Sequence, residues 1–186
     1  MRFNAHSDLE GHHAFLSASK YHWIRYDDDK LARSYVTATA AARGTELHEF
    51  AAMAIRLGQT MPRTKKTINM YVNDGIGFLM QSEVVLYYSP NAFGTVDTIS
   101  FRKNVLRISD LKNGESRVSF DQLKIYVAFF CLEYLVRPSD IKIELRIYQN
   151  NEILYMEPEL DEIVHIMDRI ITFDRLIKRL REEQLA

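Results

Sequence analysis

The sequence predicts an α/β fold, a mixed β-sheet of about five strands flanked by helices, from three observations. Helix-rich stretches bracket a central block of β-branched and aromatic residues that alternates with period two. A strongly apolar helix falls between two groups of strands. A long amphipathic stretch with period near 3.6 closes the chain.

The chain has 186 residues, of which 47% are hydrophobic. That suits one domain over residues 1–186 with a sizeable core, and it argues against disorder. No apolar run approaches the ~20 residues of a membrane span. Residues 1–10 lack the apolar centre of a secretory signal. The single cysteine, Cys131, excludes an internal disulfide and a four-cysteine metal site. A reducing cytoplasmic location is therefore expected. The net charge of −1 carries no global signature of nucleic-acid binding, although a local basic rim beside an acidic site would leave the same total.

Residues 1–14 read as a polar arm. Its His12 and His13 are adjacent and point apart in regular structure, so with His6 they make a poor ligand set. A short helix then opens with Ser17 as N-cap and carries Tyr21, His22, Trp23 and Tyr26. These aromatics suit either a small core contact or a stacking surface for a base. The consecutive Asp27, Asp28 and Asp29 fan outward and read as a solvated loop.

Residues 32–57 are rich in helix formers, with Leu47, Ala51, Ala54 and Ile55 on the buried stripe. Gly44 is expected to interrupt this run, so that a new helix begins at Gly44 and carries Thr45, His48 and Glu49 on one side. Arg63, Lys65 and Lys66 form a basic loop, either plainly solvated or able to hold phosphates. A helix follows over about 66–79. Its Gly75 and Gly77 do not make a dinucleotide fingerprint.

Residues 83–88 form the first strand, a turn follows at Pro90, and two further strands cover 94–101 and 105–114 around a tight turn at Arg102, Lys103 and Asn104. Together they make an antiparallel meander. Residues 119–135 form the apolar helix, with Ser119 as cap and Pro138 beyond its end. Residues 141–148 and 153–156 pair as a hairpin about Asn150 and Asn151. Residues 160–183 form the final helix, whose apolar face includes Ile163, Met167, Ile170, Leu176 and Leu180.

The chemistry concentrates in the second and third strands. Asp110 and Lys112 lie two apart and share a face, which Asp97 reaches if the strands pair. These residues support two readings. One is a surface ion pair. The other is a site for a hard divalent cation between Asp97 and Asp110, with the Leu111 carbonyl as a further ligand and Lys112 beside the reacting water.

Further pieces stand in a fixed order: Gly44-Thr45-Glu46-Leu47-His48-Glu49, Glu83 on a strand, Gly94-Thr95-Val96-Asp97, Asp110-Leu111-Lys112, and Gln122-Leu123-Lys124-Ile125-Tyr126. In this order the chain resembles the PD-(D/E)xK phosphodiesterases, in particular the RecB-like branch that includes phage exonucleases. Phe15-Leu-Ser-Ala-Ser-Lys20 with Trp23 resembles the opening of phage-encoded members. The similarity runs from about residue 13 to 126. It implies a restriction-endonuclease-like core and a Mg2+- or Mn2+-dependent deoxyribonuclease, an exonuclease of recombination or repair with a phage or prophage connection. His48 would be a metal ligand, Asp97 and Asp110 the central ligands, and Lys112 the catalytic lysine. Gln122 and Tyr126 would border the site and contact the backbone or the attacking water. Glu83 would stand behind the ligands or join a further metal site. Arg63, Lys65, Lys66, Arg102 and Lys103 are candidate nucleic-acid contacts. The implied partner is DNA, with self-association left open.

Two departures bear on these expectations. Asp110 replaces the longer Glu. The cysteines of an Fe–S cluster are missing, and Tyr26 and Asp27 stand where a Cys-Pro is expected, so no cluster is expected. The competing reading is a nuclease-shaped binding or interaction module without catalysis.

Overall fold

The computed structural model describes residues 15–16, 18–114 and 117–185. The polar arm with His6, His12 and His13, and the expected cap Ser17, lie outside the described residues. The chain falls into two compact units, Met1–Glu46 and Leu47–Ala186.

In the first unit a 3-10 helix spans Ala18–Arg25, and the long helix α1 starts at Asp28 and runs to Leu57. Asp27 is not a loop carboxylate. Its Oδ1 accepts the Lys30 backbone N–H at 2.7 Å, which makes it the helix cap, and Asp28 and Asp29 fill the first turn. Carboxylates there satisfy free N–H groups and favour the positive end of the helix dipole. Phe15 packs edge-on against Tyr35 at 5.2 Å between ring centres.

The expected break at Gly44 does not occur, because α1 continues through it without interruption. A mid-helix glycine costs about 1 kcal/mol relative to alanine. A helix of 30 residues, with alanines on either side, absorbs that cost through cooperative propagation.

The second unit begins within α1 at Leu47 and contains the sheet. Its strands are β1 (Gln81–Ser89), β2 (Ala92–Arg102), β3 (Val105–Leu111), β4 (Lys142–Gln149) and β5 (Glu152–Met156). They lie in sequence order across the sheet. All neighbours are antiparallel except β3 and β4, which are parallel. This is the expected five-stranded mixed α/β sheet. The parallel step requires a crossover, supplied by α3 (Asp121–Tyr134). Helices α2 (Thr67–Gly77) and α4 (Leu160–Leu185) complete the unit.

The two tight turns are built by left-handed pairs. Lys103 and Asn104 have φ of 50° and 59°, and Asn150 and Asn151 have 52° and 61°. Positive φ at both central residues matches the twist of the flanking strands. Ser119 does not cap α3 in the expected way. Phe120 occupies the cap position, and the Ser119 hydroxyl accepts the Asp121 N–H at 3.1 Å.

Two apolar clusters hold the sheet. Leu106, Ile108, Ile143, Leu145 and Ile147 meet Leu123, Val127 and Phe130 of α3 and Ile163 of α4. A smaller cluster joins Leu111 and Tyr148 to Tyr71 and Val72 of α2 and to Ala51, Ala54 and Ile55 of α1. Leu111 thus packs away from its neighbours Asp110 and Lys112, as strand alternation requires. At the outer edge, the Tyr87 backbone N–H donates to Glu133 Oε2 of α3 at 2.7 Å.

One polar tie fastens α4 to the turn between β1 and β2. Asp174 is 2% exposed, and its Oδ1 accepts from Ser89 Oγ at 2.6 Å and Asn91 Nδ2 at 2.9 Å, while Lys178 Nζ lies 2.7 Å from Oδ2. Lys178 first, then Ser89 and Asn91, hold the Asp174 carboxyl down at about 2. A depressed carboxylate stabilises the fold above its unfolded pKa near 3.9 and loses that contribution as pH falls toward 2. Asp174→Asn is therefore expected to lower the melting temperature at pH 6. The difference from wild type should shrink steadily between about pH 4 and 2. Thermal melts at several pH values test this, and a difference independent of pH would contradict it.

Candidate active site

The antiparallel pairing of β2 and β3 places the acids. Thr98 lies opposite Ser109, and one further step of that register sets Asp97 against Asp110. Lys112 stands just past the end of β3, where its backbone N–H still donates to the Tyr148 carbonyl at 2.9 Å. The lysine is therefore fixed by β4, the parallel neighbour, as well as by its own strand.

The side chains form a connected series. Lys112 Nζ straddles the Asp110 carboxylate, 3.1 Å from Oδ1 and 3.0 Å from Oδ2. Only the approach to Oδ1 has hydrogen-bond geometry, and the buried Oδ2 has no hydrogen-bond partner. Lys112 also donates to Gln122 Oε1 at 3.3 Å. Gln122 Nε2 faces the Tyr126 hydroxyl at 3.3 Å, and that hydroxyl donates to the Thr95 carbonyl at 2.6 Å. Gln122 and Tyr126 are one turn apart on α3, so the crossover helix brings both to the strand ends.

On the other flank, His48 of α1 places Nδ1 3.3 Å from Asp97 Oδ2. The same oxygen accepts the Leu111 backbone N–H at 3.1 Å. The hydrogen bond to Asp97 raises the His48 pKa against the opposing effect of burial, and Asp97 and Asp110 add further negative potential. The Leu111 backbone makes the smallest contribution to that rise. Burial raises the pKa of Asp110, and the like charge of Asp97 adds to it, while Lys112 and His48 pull the other way.

His48, Asp97, Asp110, Leu111, Lys112, Gln122 and Tyr126 are thus brought together at one end of the sheet. Glu83 is directed elsewhere: its Oε2 pairs with Arg56 at 2.6 Å, on a strand residue with φ of 56°. Glu83 is therefore not among the side chains that meet at the strand end, and its partner there is Arg56. Arg102 and Lys103 occupy the hairpin tip, five residues along β2 from Asp97, which is roughly 17 Å of extended strand. They are removed from the site. Arg63 lines a separate small cleft with Asn73, and Lys65 is exposed, whereas Lys66 shares a cleft with Lys112.

Two residues to which the sequence alone assigns no role adjoin the site. Tyr71, 3% exposed on α2, packs edge-on against Tyr148 at 5.3 Å. Burial raises its pKa strongly, and Asp97 and Asp110 add to the rise, which puts its ring within electrostatic reach of both acids. A tyrosine inside an apolar helix gives no sequence signal of such a role. Gly94 is the other: a Cβ there would come within 3.0 Å of the Tyr126 ring. Tyr126→Phe keeps that ring contact and removes the hydroxyl between Gln122 and Thr95. A loss of roughly fivefold in activity, with little change in melting temperature, is expected from deleting one hydrogen-bonded link.

Among the described residues, no group of three or more His, Cys, Asp or Glu side chains is placed to hold a metal ion as it stands. The donor chemistry nonetheless fits one. Two carboxylates, a carbonyl and an imidazole converge, and Asp110 Oδ2 is a buried acceptor left without a hydrogen bond. In this structure Lys112 pairs with Asp110, and His48 contacts Asp97.

No family model matches the chain, and no curated protein matches it. Among solved structures, the crystal structure of SSO0001 is similar over 81% of this chain and 67% of that one, with 15% identity and a TM-score of 0.39. No helix among the described residues is long and apolar enough to cross a membrane.

Proposed function

We propose that this chain is a divalent-metal-dependent deoxyribonuclease, an exonuclease hydrolysing DNA phosphodiester bonds in recombination or repair, from a phage or prophage setting. The observation that carries the reading is the meeting of two carboxylates, an imidazole and a glutamine-held lysine at one strand end. Each alone is ordinary, and an isolated Asp-Lys contact is worth little. Their joint placement by four different elements is what favours chemistry over a surface ion pair.

His48, Asp97, Asp110 and the Leu111 carbonyl would hold Mg2+ or Mn2+. When bound, such a cation supplies charge neutralisation at a phosphoryl oxygen and lowers the pKa of water. Lys112 then has a distinct task. Its Nζ already reaches Gln122 Oε1, so it can leave Asp110 without losing every partner. From there it donates to the attacking water or to the charge that builds on the phosphate in the transition state. Gln122 holds that ammonium in line, and Tyr126, anchored on Thr95, fixes the amide's orientation.

The test is degradation of labelled linear DNA with Mg2+ or Mn2+ and with EDTA. Metal-dependent loss of label from the ends is the expected result. A specific observation favours the second reading, a non-catalytic nuclease-shaped module that binds DNA or protein: in this structure Lys112 pairs with the central acid Asp110. Binding of DNA without hydrolysis under any divalent cation would decide for that reading.

A further inference from the structure

An open cleft of about 480 Å³ runs from Lys112 to the start of α2 and the turn between β4 and β5. Its polar lining includes Lys66, Thr67, Lys112, Asn113, Asn150 and Asn151. No carboxylate lines it. Two ammonium groups and several amides therefore share one space, and Lys112 is paired with Asp110. Among the described residues no ion pair holds the Lys66 ammonium.

The far wall is rigid for a reason separate from core packing. Thr67 and Asn151 exchange hydrogen bonds in both directions. The Thr67 backbone N–H donates to Asn151 Oδ1 at 3.1 Å, and the Asn151 backbone N–H donates to Thr67 Oγ1 at 2.8 Å. This couples the left-handed hairpin turn to the first residue of α2 across 84 positions of sequence. It ties the backbone next to Lys66 to the hairpin turn, and preorganisation of this kind lowers the entropic cost of binding.

We infer that this cleft is a binding subsite for the backbone phosphate next to the scissile one, with Lys66 as its principal cation. The inference rests on the nuclease reading of the neighbouring site. A phosphodiester matches the chemistry: one negative charge and two acceptor oxygens, met by an ammonium and amide donors. Lys112 lines the cleft at one end and serves the reacting centre at the other, so a strand lying in it passes directly from Lys66 to the acids. Lys66 is thereby separated from Arg63 and Lys65, with which it shares only a sequence run. Contacts to phosphate position the strand without reading its bases.

The experiment measures fluorescence-anisotropy binding of an end-labelled DNA duplex over a salt series, together with KM and kcat in Mn2+. It compares wild type, Lys66→Ala, Asn151→Gly and, as a general charge control, Arg179→Ala on the exposed part of α4. Glycine at 151 keeps the positive φ of the turn while removing the amide. Lys66→Ala is expected to weaken binding about five- to tenfold and to lower the salt slope by about one. The loss should appear in KM rather than kcat, and Asn151→Gly should weaken binding in the same direction. Arg179→Ala should match wild type. Replacing the linkage next to the cleavage site with a neutral methylphosphonate should weaken wild type and leave Lys66→Ala unaffected.

Wild-type behaviour of Lys66→Ala in a protein that cuts DNA would overturn the subsite and leave the nuclease reading standing. Equal losses in Lys66→Ala and Arg179→Ala would also overturn it, as a general charge effect. A wild-type chain that neither binds nor cuts DNA would overturn both readings.

Discussion

If the proposed nuclease function holds, Lys112→Ala is expected to lower metal-dependent DNA hydrolysis by about 10²- to 10⁴-fold, the range for losing a proton-transfer or charge-stabilising group. The fold should survive the change. Lys112 is 35% exposed on its side chain, its backbone bond to Tyr148 remains, and Leu111 stays in its apolar cluster. Lys112→Met separates charge from bulk by keeping the stem, and it should be as inactive as alanine. Lys112→Arg retains the charge but replaces the compact ammonium with a planar fork, so it is expected to restore activity only in part. Single-turnover rates at saturating DNA measure these effects on the chemical step. Activity within threefold of wild type in Lys112→Ala would remove the lysine from the mechanism.

Asp110→Asn is expected to abolish hydrolysis and, at the same time, to raise the melting temperature at pH 7. Asp110 is 4% exposed, and burial together with Asp97 raises its pKa. An acid whose folded pKa lies above its unfolded value favours folding at low pH. That contribution is lost as pH rises from near 3.9 through the folded pKa. At neutral pH the ionised, crowded carboxylate therefore destabilises the fold. The amide removes the charge at nearly constant shape, and the partly exposed Lys112 can take up water in its place. Melting curves from pH 4 to 8 test the sign: the variant's advantage should grow as pH rises. A variant less stable than wild type at pH 7 would show that the Lys112 contact outweighs the repulsion.

Much of the fold could be read in advance because its determinants are local. Alternation marked the strands, and the short polar turns at Arg102 to Asn104 and at Asn150 and Asn151 marked both hairpins. The apolar helix before Pro138 was marked by its composition, while its role as a crossover follows from the parallel pairing of β3 and β4. The acids and lysine were legible for the same reason, since alternation and one hairpin suffice to align them. What escaped depended on tertiary context. Glu83 was captured by Arg56 from 27 positions away, a pairing that no spacing rule signals. Tyr71 and Gly94 matter through what they touch rather than through their type. At Gly44 a local penalty was overridden by the cooperativity of the surrounding helix. Asp27 was misread because a run of three acids looks alike in a loop and at a helix start, and only the bond to Lys30 tells them apart.

The bond from Tyr87 to Glu133 bears on how copies of this chain can meet. An outermost strand offers unpaired N–H groups, the usual template for sheet-to-sheet addition and aggregation. Here a carboxylate from α3 occupies one of them, and Glu83 on the same strand carries a left-handed kink. An incoming strand would have to displace a charged acceptor and match a bent edge. The opposite border, β5, is short and exposes Ile153, Leu154 and Tyr155. The two rims of the sheet are thus unequal, one blocked by charge and curvature and the other guarded only by brevity. Growth by edge pairing, in a filament or a misfolded aggregate, should nucleate at β5. A lysine introduced at Leu154 would be the economical way to suppress it.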